Sequence, residues 1–360
     1  MDTGYWILDI GYWILDTGYL HISTLATFNK KGNPMNMNPF NILASGAAAK
    51  PGQVFLANEG AVDNQFLSEA LTQYSVGWTS PDGKLEATLK ALTGEPIVVP
   101  KRFSFKKMNN KSAFAAVEND EDVRAIGADF KRVTISGETV DTHTVSKGLT
   151  LRLDRDELND NPQAEQDAVA YLRTLLMRGE IIRAFSGLAG AATGGNAITA
   201  TWTAASKTDA DAAILAHLET LANDSGLIPN RAWFGATAWT KRFTTMRASD
   251  SVAVANGAGL TPEQLAGLYA VDTVSVCNER YQSGSGKSTL LSNNLVLLFN
   301  AQTSGVKDDP SNIKRFVTKV NGQDFAVFRE EKAAFLDITV AHQSLIAITS
   351  SLGIGKITVS

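Results

Sequence analysis

One long amphipathic segment, DELNDNPQAEQDAVAYLRTLLMRGEIIRAFSGLAG (residues 156–190), limits the possible folds more than any other part of the chain. Acidic residues and Pro162 stand near its start, where the helix dipole and the missing proline N–H are both tolerated. Helical spacing then predicts one apolar stripe: Val169, Leu172, Leu176, Ile182 and Phe185. Gly187 and Gly190 are expected to mark the exit. A helix of about 24 residues would span roughly 36 Å, which indicates a long central helix against which sheets pack.

Strand signals lie on both sides of this helix. Before it, residues 129–154 alternate apolar and polar side chains between Gly turns, which predicts strands joined by hairpins. After it, TDADAAILAHLETLANDSG predicts a helix with Thr208 or Asp209 as its cap, and NRAWFGATAWTKRF predicts a strand, a turn and a short helix. The C-terminal half is rich in strands: NNLVLLFNA, KRFVTKV, DFAVFREEK and FLDITVAHQSLIAIT. Because no strict βαβ alternation occurs, the predicted class is α+β.

A basic segment precedes these strands. EPIVVPKRFSFKKMNNKSAFAAV (residues 95–117) predicts two β segments that flank an Asn-rich tip. The tip would carry Lys106, Lys107 and Lys111, which could contact an acidic partner or a neighbouring subunit. Ordinary solvated lysines are the other interpretation.

The N-terminus repeats every seven residues as GYWILDI GYWILDT GYLHIST. The repeated glycines disfavour a coiled coil, and the aspartates interrupt the apolar core of a secretory signal. The DNA string GGATACT, repeated and read in triplets, encodes Gly-Tyr-Trp-Ile-Leu-Asp-Thr. We therefore expect residues 1–34 to lie upstream of a start at Met35 or Met37, with a genuine N-terminal arm as the alternative. Residues 35–60 predict an extended arm, and residues 64–76 a short helix.

Composition argues against several classes of function. The chain is 44% hydrophobic and 19% charged with a net charge of −4, which gives no global support for sequence-specific nucleic-acid binding. Its one cysteine, Cys277, excludes an intramolecular disulfide and fits a reducing compartment. The histidines are scattered, and His217 lies on an apolar helix face, which indicates packing rather than catalysis. No apolar run approaches the roughly 20 residues of a membrane span.

Two motifs resemble ligand-binding loops but lack residues that such loops require. YQSGSGKSTLL (residues 281–291) resembles a phosphate-binding loop, but Tyr281 stands where the first glycine is required, and no helix is predicted after Lys287. DRDELNDN (residues 154–161) resembles a calcium loop, but its sixth position is Asn159 where glycine is needed. No nucleophile elbow occurs. We therefore predict no enzyme, no cofactor and no metal.

Three consecutive segments together resemble a known family. KGLTLRLDRDELND, the long helix and the small-residue loop after it are similar to the major capsid proteins of tailed bacteriophages, which have the Hong Kong 97-type fold. TDADAAILAHLETLANDSGLIPNRAWFGATAWTKRF looks like the axial-domain helix of that family with its following strand and helix. LAGLYAVDTVSVCNERY looks like the strand leading to the loops around the capsomer axis. The resemblance covers roughly residues 35–360 and is one of element order, without a sharp motif.

The resemblance implies a division of the chain. It would comprise a non-native or disordered extension at 1–34, an arm and short helix at 35–94, an extended β hairpin (E-loop) at 95–135, a peripheral domain with the spine helix at 136–195, an axial domain at 196–325, and C-terminal strands returning to the peripheral domain at 326–360. The small-residue segment Ser283, Gly284, Ser285, Gly286 and Lys287 would be a flexible loop at the capsomer axis.

The resemblance also implies a function. The chain would be a major capsid (head) subunit that self-assembles into pentamers and hexamers of an icosahedral phage or prophage shell around double-stranded DNA. It would assemble in the bacterial cytoplasm and reside in the virion. Scaffold, portal or decoration proteins would be its partners, the packaged DNA would be near without specific contact, and no membrane would be involved. Nothing identifies a residue pair for covalent cross-linking. The alternatives are an encapsulin-type nanocompartment shell, a P-loop NTPase, and a tail-tube or other virion protein.

Overall fold

The computed structural model describes residues 66–80, 83–108, 137–302 and 307–360, with a few single positions between 123 and 132. The chain divides into two units, Met1–Val62 and Asp63–Ser360, and every described residue belongs to the second. The N-terminal repeat, the expected arm and Lys111 lie outside the described residues.

Helices and strands both run through the second unit. The described helices are α1 Glu69–Gly77, α2 Lys84–Thr93, α3 Arg155–Asp160, α4 Ala164–Ala191, α5 Ala210–Ser225, α6 Ala236–Arg247, α7 Val252–Gly257 and α8 Pro262–Tyr269. The described strands are β1 Ile97–Val98, β2 Arg102–Met108, β3 Gly137–His143, β4 Val145–Asp154, β5 Ala197–Ala200, β6 Arg231–Gly235, β7 Thr273–Cys277, β8 Arg280–Ser283, β9 Gly286–Thr289, β10 Leu295–Phe299, β11 Ile313–Thr318, β12 Phe325–Glu331, β13 Phe335–Ile348 and β14 Gly355–Val359.

The predicted long helix is α4, and its 28 residues exceed the expected length. It continues through Gly187 and Gly190 instead of ending there, because its backbone hydrogen bonds run on to Ala192. The predicted stripe is buried except at Ile182, whose neighbour Ile181 faces the core instead. The acidic residues before α4 form the separate short helix α3.

A first sheet lies against α4. Its central strand β13 is paired antiparallel with β4 along one edge and with β12 and then β11 along the other. The short strand β1 pairs parallel with β11. Apolar residues on the helix-facing side, such as Leu153, Ile338 and Val340, pack with the buried stripe of α4 in one core.

A second sheet, in the order β5-β14-β10-β6-β7, is buried on both faces at its central strands. Strand β10 shows this directly: Val296 and Leu298 pack with α5, α6 and α8, while Leu297 and Phe299 join the core around α4. The ring of Trp233 on β6 lies edge-on to Phe185 of α4, with ring centroids 5.4 Å apart. The long helix therefore supports both sheets, as its length suggested.

Several predicted elements occur where expected, and two strands pair in a sheet other than the one their predicted domain suggests. Helix α5 is confirmed with Asp209 as its N-cap, whose Oδ1 accepts from the backbone N–H groups of Asp211 and Ala212. Strand β11 belongs to the first sheet although it falls within the predicted axial domain at 196–325. Strand β14 belongs to the second sheet although 326–360 was expected to return to the peripheral domain. The division into domains remains a prediction.

Candidate functional site

The basic segment predicted as a hairpin tip is part of a strand. Lys106 and Lys107 lie in β2, which pairs with β3 rather than with a strand at 112–117. The tip prediction was wrong for these two lysines, because pairing with a strand 30 residues later outweighed the local turn signal. Lys107 is opposite Glu138, with Nζ 3.9 Å from Oε2. The two strands form a two-stranded ribbon, here called the β2–β3 ribbon.

The root of the β2–β3 ribbon is held by aromatic packing. The ring centroids of Phe103 and Phe105 lie 4.7 Å and 5.6 Å from that of Phe316 on β11. One polar contact adds to this anchor, since the backbone N–H of Lys106 donates to Oδ1 of Asp308 at 3.0 Å. Strand β3 is mostly exposed beyond this root.

The segment predicted as a flexible axial loop is a paired hairpin. Ser283 ends β8 and Gly286 begins β9, so Gly284 and Ser285 alone form the turn. Gly284 has φ +58°, the left-handed conformation that a type II′ turn requires at its first central position. The side chain of Gln282 donates to the carbonyl of Gly284 at 2.7 Å. The loop prediction is thus corrected, although the tip is exposed as expected.

This hairpin also excludes a phosphate-binding loop. A phosphate loop leads directly into a helix whose N–H groups face the phosphates. Here Lys287 and Ser288 lie inside β9 and pair with Gln282 and Tyr281. The P-loop alternative was therefore wrong.

A buried carboxylate fastens α4 to the first sheet. Glu180 is fully buried, and Nζ of Lys147 on β4 donates to its Oε1 at 2.6 Å. The hydroxyl of Ser344 on β13 donates to Oε2 at 2.9 Å, and Nη1 of Arg183 donates to Oε1 at 2.7 Å. His342 Nε2 lies 3.6 Å from Oε1, which is too long for a hydrogen bond. We call these five residues the spine cluster.

The spine cluster keeps Glu180 ionised. Burial by itself would raise the pKa of this carboxyl group, but the surrounding donors and cations outweigh burial and hold the pKa well below its usual range. We assign the lowering chiefly to Lys147, whose ammonium makes the 2.6 Å contact. An ionised Glu180 can hold β4 and β13 to the helix together.

A second buried carboxylate joins three helices in the other core. Arg242 on α6 donates from Nε and Nη2 to the two oxygens of Asp211 on α5, at 2.6 Å and 2.7 Å. The hydroxyl of Tyr269 on α8 donates to Oδ1 of Asp211 at 2.6 Å. Arg242 Nη2 also donates to the carbonyl of Gly257 at 3.0 Å. We call Asp211, Arg242 and Tyr269 the axial cluster.

Both donors of the axial cluster are locked in their protonated forms. Burial would lower the pKa of Arg242, but its hydrogen bonds to Asp211 and the charge of that carboxylate raise it instead. Burial and the Asp211 charge raise the pKa of Tyr269 well above its usual range. The cluster therefore has the fixed charges of a structural ion pair.

The remaining candidates are accounted for by packing. His217 is buried on α5, and burial lowers its pKa. Cys277 is buried at the end of β7. The suspected calcium loop is the start of α3, where the backbone N–H of Asp156 donates to Oδ1 of Asp154 at 3.0 Å. Within the described ranges, no three potential metal ligands gather, and none of the helices is long and apolar enough to cross a membrane.

Comparison with solved structures shows what fold these elements make. A phage-related protein from Bordetella bronchiseptica RB50 superposes with a TM-score of 0.60 at 15% identity, over 81% of this chain and 97% of that one. A protein assigned as the capsid protein of an E. coli CFT073 prophage superposes with a TM-score of 0.50 at 12% identity, over 82% of this chain and 99% of that one. The chain has a phage capsid fold. No family model and no curated protein matches it by sequence.

The capsid fold confirms the predicted α+β class and the Hong Kong 97-type resemblance. Sequence reasoning missed both charged clusters of this fold. One signal was available, because Glu180 interrupts the apolar stripe between Leu176 and Ala184 at helical spacing. No comparable signal marks Asp211, which stands in the first turn of α5 where an acidic residue is ordinary.

Proposed function

We propose that the chain is a major capsid (head) subunit that self-assembles into pentamers and hexamers of an icosahedral phage or prophage shell enclosing double-stranded DNA. The observation that carries the proposal is the superposition on the prophage protein assigned as a capsid protein, since it covers nearly all of that chain. The encapsulin-type shell remains the alternative with the same architecture.

The β2–β3 ribbon supports a function in assembly. An isolated two-stranded ribbon is at best marginally stable in water. Among the described residues, this ribbon packs on its own subunit chiefly at the Phe103, Phe105 and Phe316 root, and β3 is largely exposed. A neighbouring copy in a capsomer would cover it, and Lys106 and Lys107 would then contact that copy.

The β8–β9 hairpin would line the capsomer axis. It is rooted in the core by Leu290, Leu291 and the partly buried Tyr281, whereas Ser283 to Lys287 are exposed. Small polar side chains at a narrow tip can pack around either five or six copies with little steric conflict. The hairpin would therefore accommodate five or six copies by changing its tilt as a paired unit, without a change in its backbone conformation.

The overall charge fits the enclosed cargo. With a net charge of −4, the subunit would surround DNA without strong electrostatic attraction to it. Scaffold, portal or decoration proteins would join it during assembly in the bacterial cytoplasm, and the finished shell would be part of the virion.

Electron microscopy of the purified protein tests the proposal. We expect closed shells or isolated pentamers and hexamers, and a strictly monomeric protein at high concentration would overturn it. Tubes or stacked rings would instead support a tail-tube protein. If shells form, those isolated from the native host distinguish the two shell functions, because a capsid contains the phage genome and a nanocompartment contains a protein cargo.

A further inference from the structure

Among the described strands, β4 is an edge strand of the first sheet. Its ten residues pair with β13 without interruption, from Val145 opposite Ser344 to Asp154 opposite Phe335, and β13 is its only partner among the described strands. The opposite edge of the sheet is different. There, the backbone N–H of Ser68 donates to the carbonyl of Val327, so the chain before α1 covers β12.

Several of the usual protections of an edge strand are missing from β4. Short length, prolines and bulges normally keep an edge from pairing with another chain, whereas β4 has ten residues, no proline and an uninterrupted register with β13. Its inward-pointing charge, Lys147, is neutralised within the subunit by Glu180, and 15% of its side chain is exposed. Arg152 is engaged with Asp337 of β13 at 2.8 Å and lies over the ring of Phe335. The apolar side chain of Leu149 is left 39% exposed.

Gly148 sets the close spacing between β4 and β13. A Cβ at this position would lie 3.1 Å from both Cβ of Ala341 and the carbonyl oxygen of Val340. The glycine therefore allows β4 to approach β13 closely.

We propose that β4 pairs antiparallel with β4 of a second copy, about a twofold axis at Leu149. An antiparallel pair of identical strands is isologous, so the backbone N–H and C=O groups of each copy hydrogen-bond to those of the other. In this register Leu149 faces itself, Val145 faces Leu153 of the second copy, and Gly148 faces Thr150 of the second copy.

Charge favours the same register. Lys147 is opposite Leu151 of the second copy, and Arg152 is opposite Ser146 of the second copy, so no like charges meet. In this register, side chains that are directly opposite each other project from the same face of the joined sheet, as the pleat of a sheet requires. The paired edges would join two first sheets into one continuous sheet.

This inference rests on the proposed function and adds a second class of contact to it. A shell made of pentamers and hexamers needs contacts between capsomers as well as within them. One pair of edge strands buries less than a standard interface of about 1,600 Å², so it is weak alone and effective when a shell repeats it many times. The β4 pair would be such an inter-capsomer contact.

Cysteine cross-linking tests the register directly. In assembled protein treated with a mild oxidant, Leu149→Cys should give disulfide-linked dimers in the majority of subunits, since the two side chains face each other across the axis. Thr150→Cys is the matched control, because its diagonal separation from itself, about 7–8 Å, is too long for a disulfide. The native Cys277 is buried and should not react. Cross-linking at 150 and not at 149 would overturn the register.

Charge complementation tests the twofold without oxidation. Leu149→Asp and Leu149→Lys should each impair shell assembly, since like charges would meet at the axis, and an equal mixture of the two should restore it. Leu149 is partly exposed, so circular dichroism should show unchanged folding for both variants. Assembly by either variant alone, as readily as by wild type, would overturn the inference.

The two proposals fail in different ways. If wild type forms no shells or capsomers, the capsid function is wrong, whereas the β4 contact can still be tested by cross-linking concentrated protein. If wild type forms shells but Leu149→Cys gives no dimers, the β4 contact alone is wrong.

Discussion

The two buried carboxylates of this fold are neutralised in different ways. Asp211 has a single cation, and the guanidinium of Arg242 meets both of its oxygens within a core from which water is excluded. Glu180 has two cations, of which Arg183 is 53% exposed, and its neighbour His342 makes no hydrogen bond within the described residues. The axial cluster is therefore closed and balanced, whereas the spine cluster is open towards solvent and carries an excess cation.

Because of this difference, the two clusters should respond differently to substitution. A buried ion pair is expensive to break because the remaining charge cannot reach water. In the axial cluster the side chains of Arg242 and Asp211 are both buried, so neither can turn towards solvent. In the spine cluster Lys147 and Arg183 can turn towards solvent when Glu180 is lost. We therefore expect the two clusters to differ in stability effect although both contain a fully engaged carboxylate.

The largest effect should follow from breaking the axial cluster. Arg242→Leu leaves Asp211 buried and unpaired, and we expect a loss of about 3–5 kcal/mol in the free energy of unfolding, measured by urea denaturation. The double variant Asp211→Asn/Arg242→Leu removes the stranded charge and should recover a large part of the loss. Equal losses in the single and double variants would show that packing, not charge, dominates.

A smaller effect is expected at the spine cluster. Glu180→Gln removes the charge but retains the shape of the side chain, and we expect a loss of about 1–3 kcal/mol. The comparison predicts that this loss stays below that of Arg242→Leu in the same assay. A larger loss for Glu180→Gln would mean that Lys147 cannot reach water and that the spine cluster is as closed as the axial one.

Removing one hydroxyl donor from each carboxylate sharpens the contrast. Tyr269→Phe should cost about 1.5–3 kcal/mol, as is typical of a hydrogen bond to a charged group. Ser344→Ala should cost less, about 0.5–1.5 kcal/mol, because Lys147 and Arg183 still satisfy Glu180. Thermal unfolding of the two single variants gives the comparison, and a reversed order would contradict it.

The smallest effect is a difference in pH dependence. Because the folded-state pKa of Glu180 lies below its unfolded value of about 4.3, the carboxylate contributes stability above that pH, and this contribution is lost as pH falls below it. Wild type should therefore lose stability in acid more steeply than Glu180→Gln, by at most about one proton in the slope. Denaturation midpoints between pH 7 and pH 3 measure it. Parallel curves would show that Glu180 is not ionised by its surroundings.

Local signals predicted much of the fold and little of the charged interior. The cap at Asp209 and the stripe of α4 depend on neighbours three or four residues apart, so periodicity reveals them. Two partners of Glu180, Lys147 on β4 and Ser344 on β13, are 197 residues apart in the chain. The spacing of residues along the chain does not predict a contact between segments so far apart.

The same limit explains the two corrected surface segments. Lys106 and Lys107 stand beside asparagines and so carried a turn signal, but β2 found a distant partner in β3. The segment around Gly284 carried a loop signal, and its hairpin became apparent only when the register of β8 and β9 was known. In both cases hydrogen bonding across strands outweighed local preference.

The sequence alone is enough to predict the α+β class, the long central helix, and the absence at Tyr281 of the glycine that a phosphate loop needs. These depend on composition and on spacings along the chain, which the sequence states directly. The tertiary structure was needed to show which strands share a sheet, which charges are buried together, and that β4 pairs only with β13 among the described strands. Those outcomes depend on pairing between distant segments, where many registers satisfy the local pattern and packing against α4 selects one.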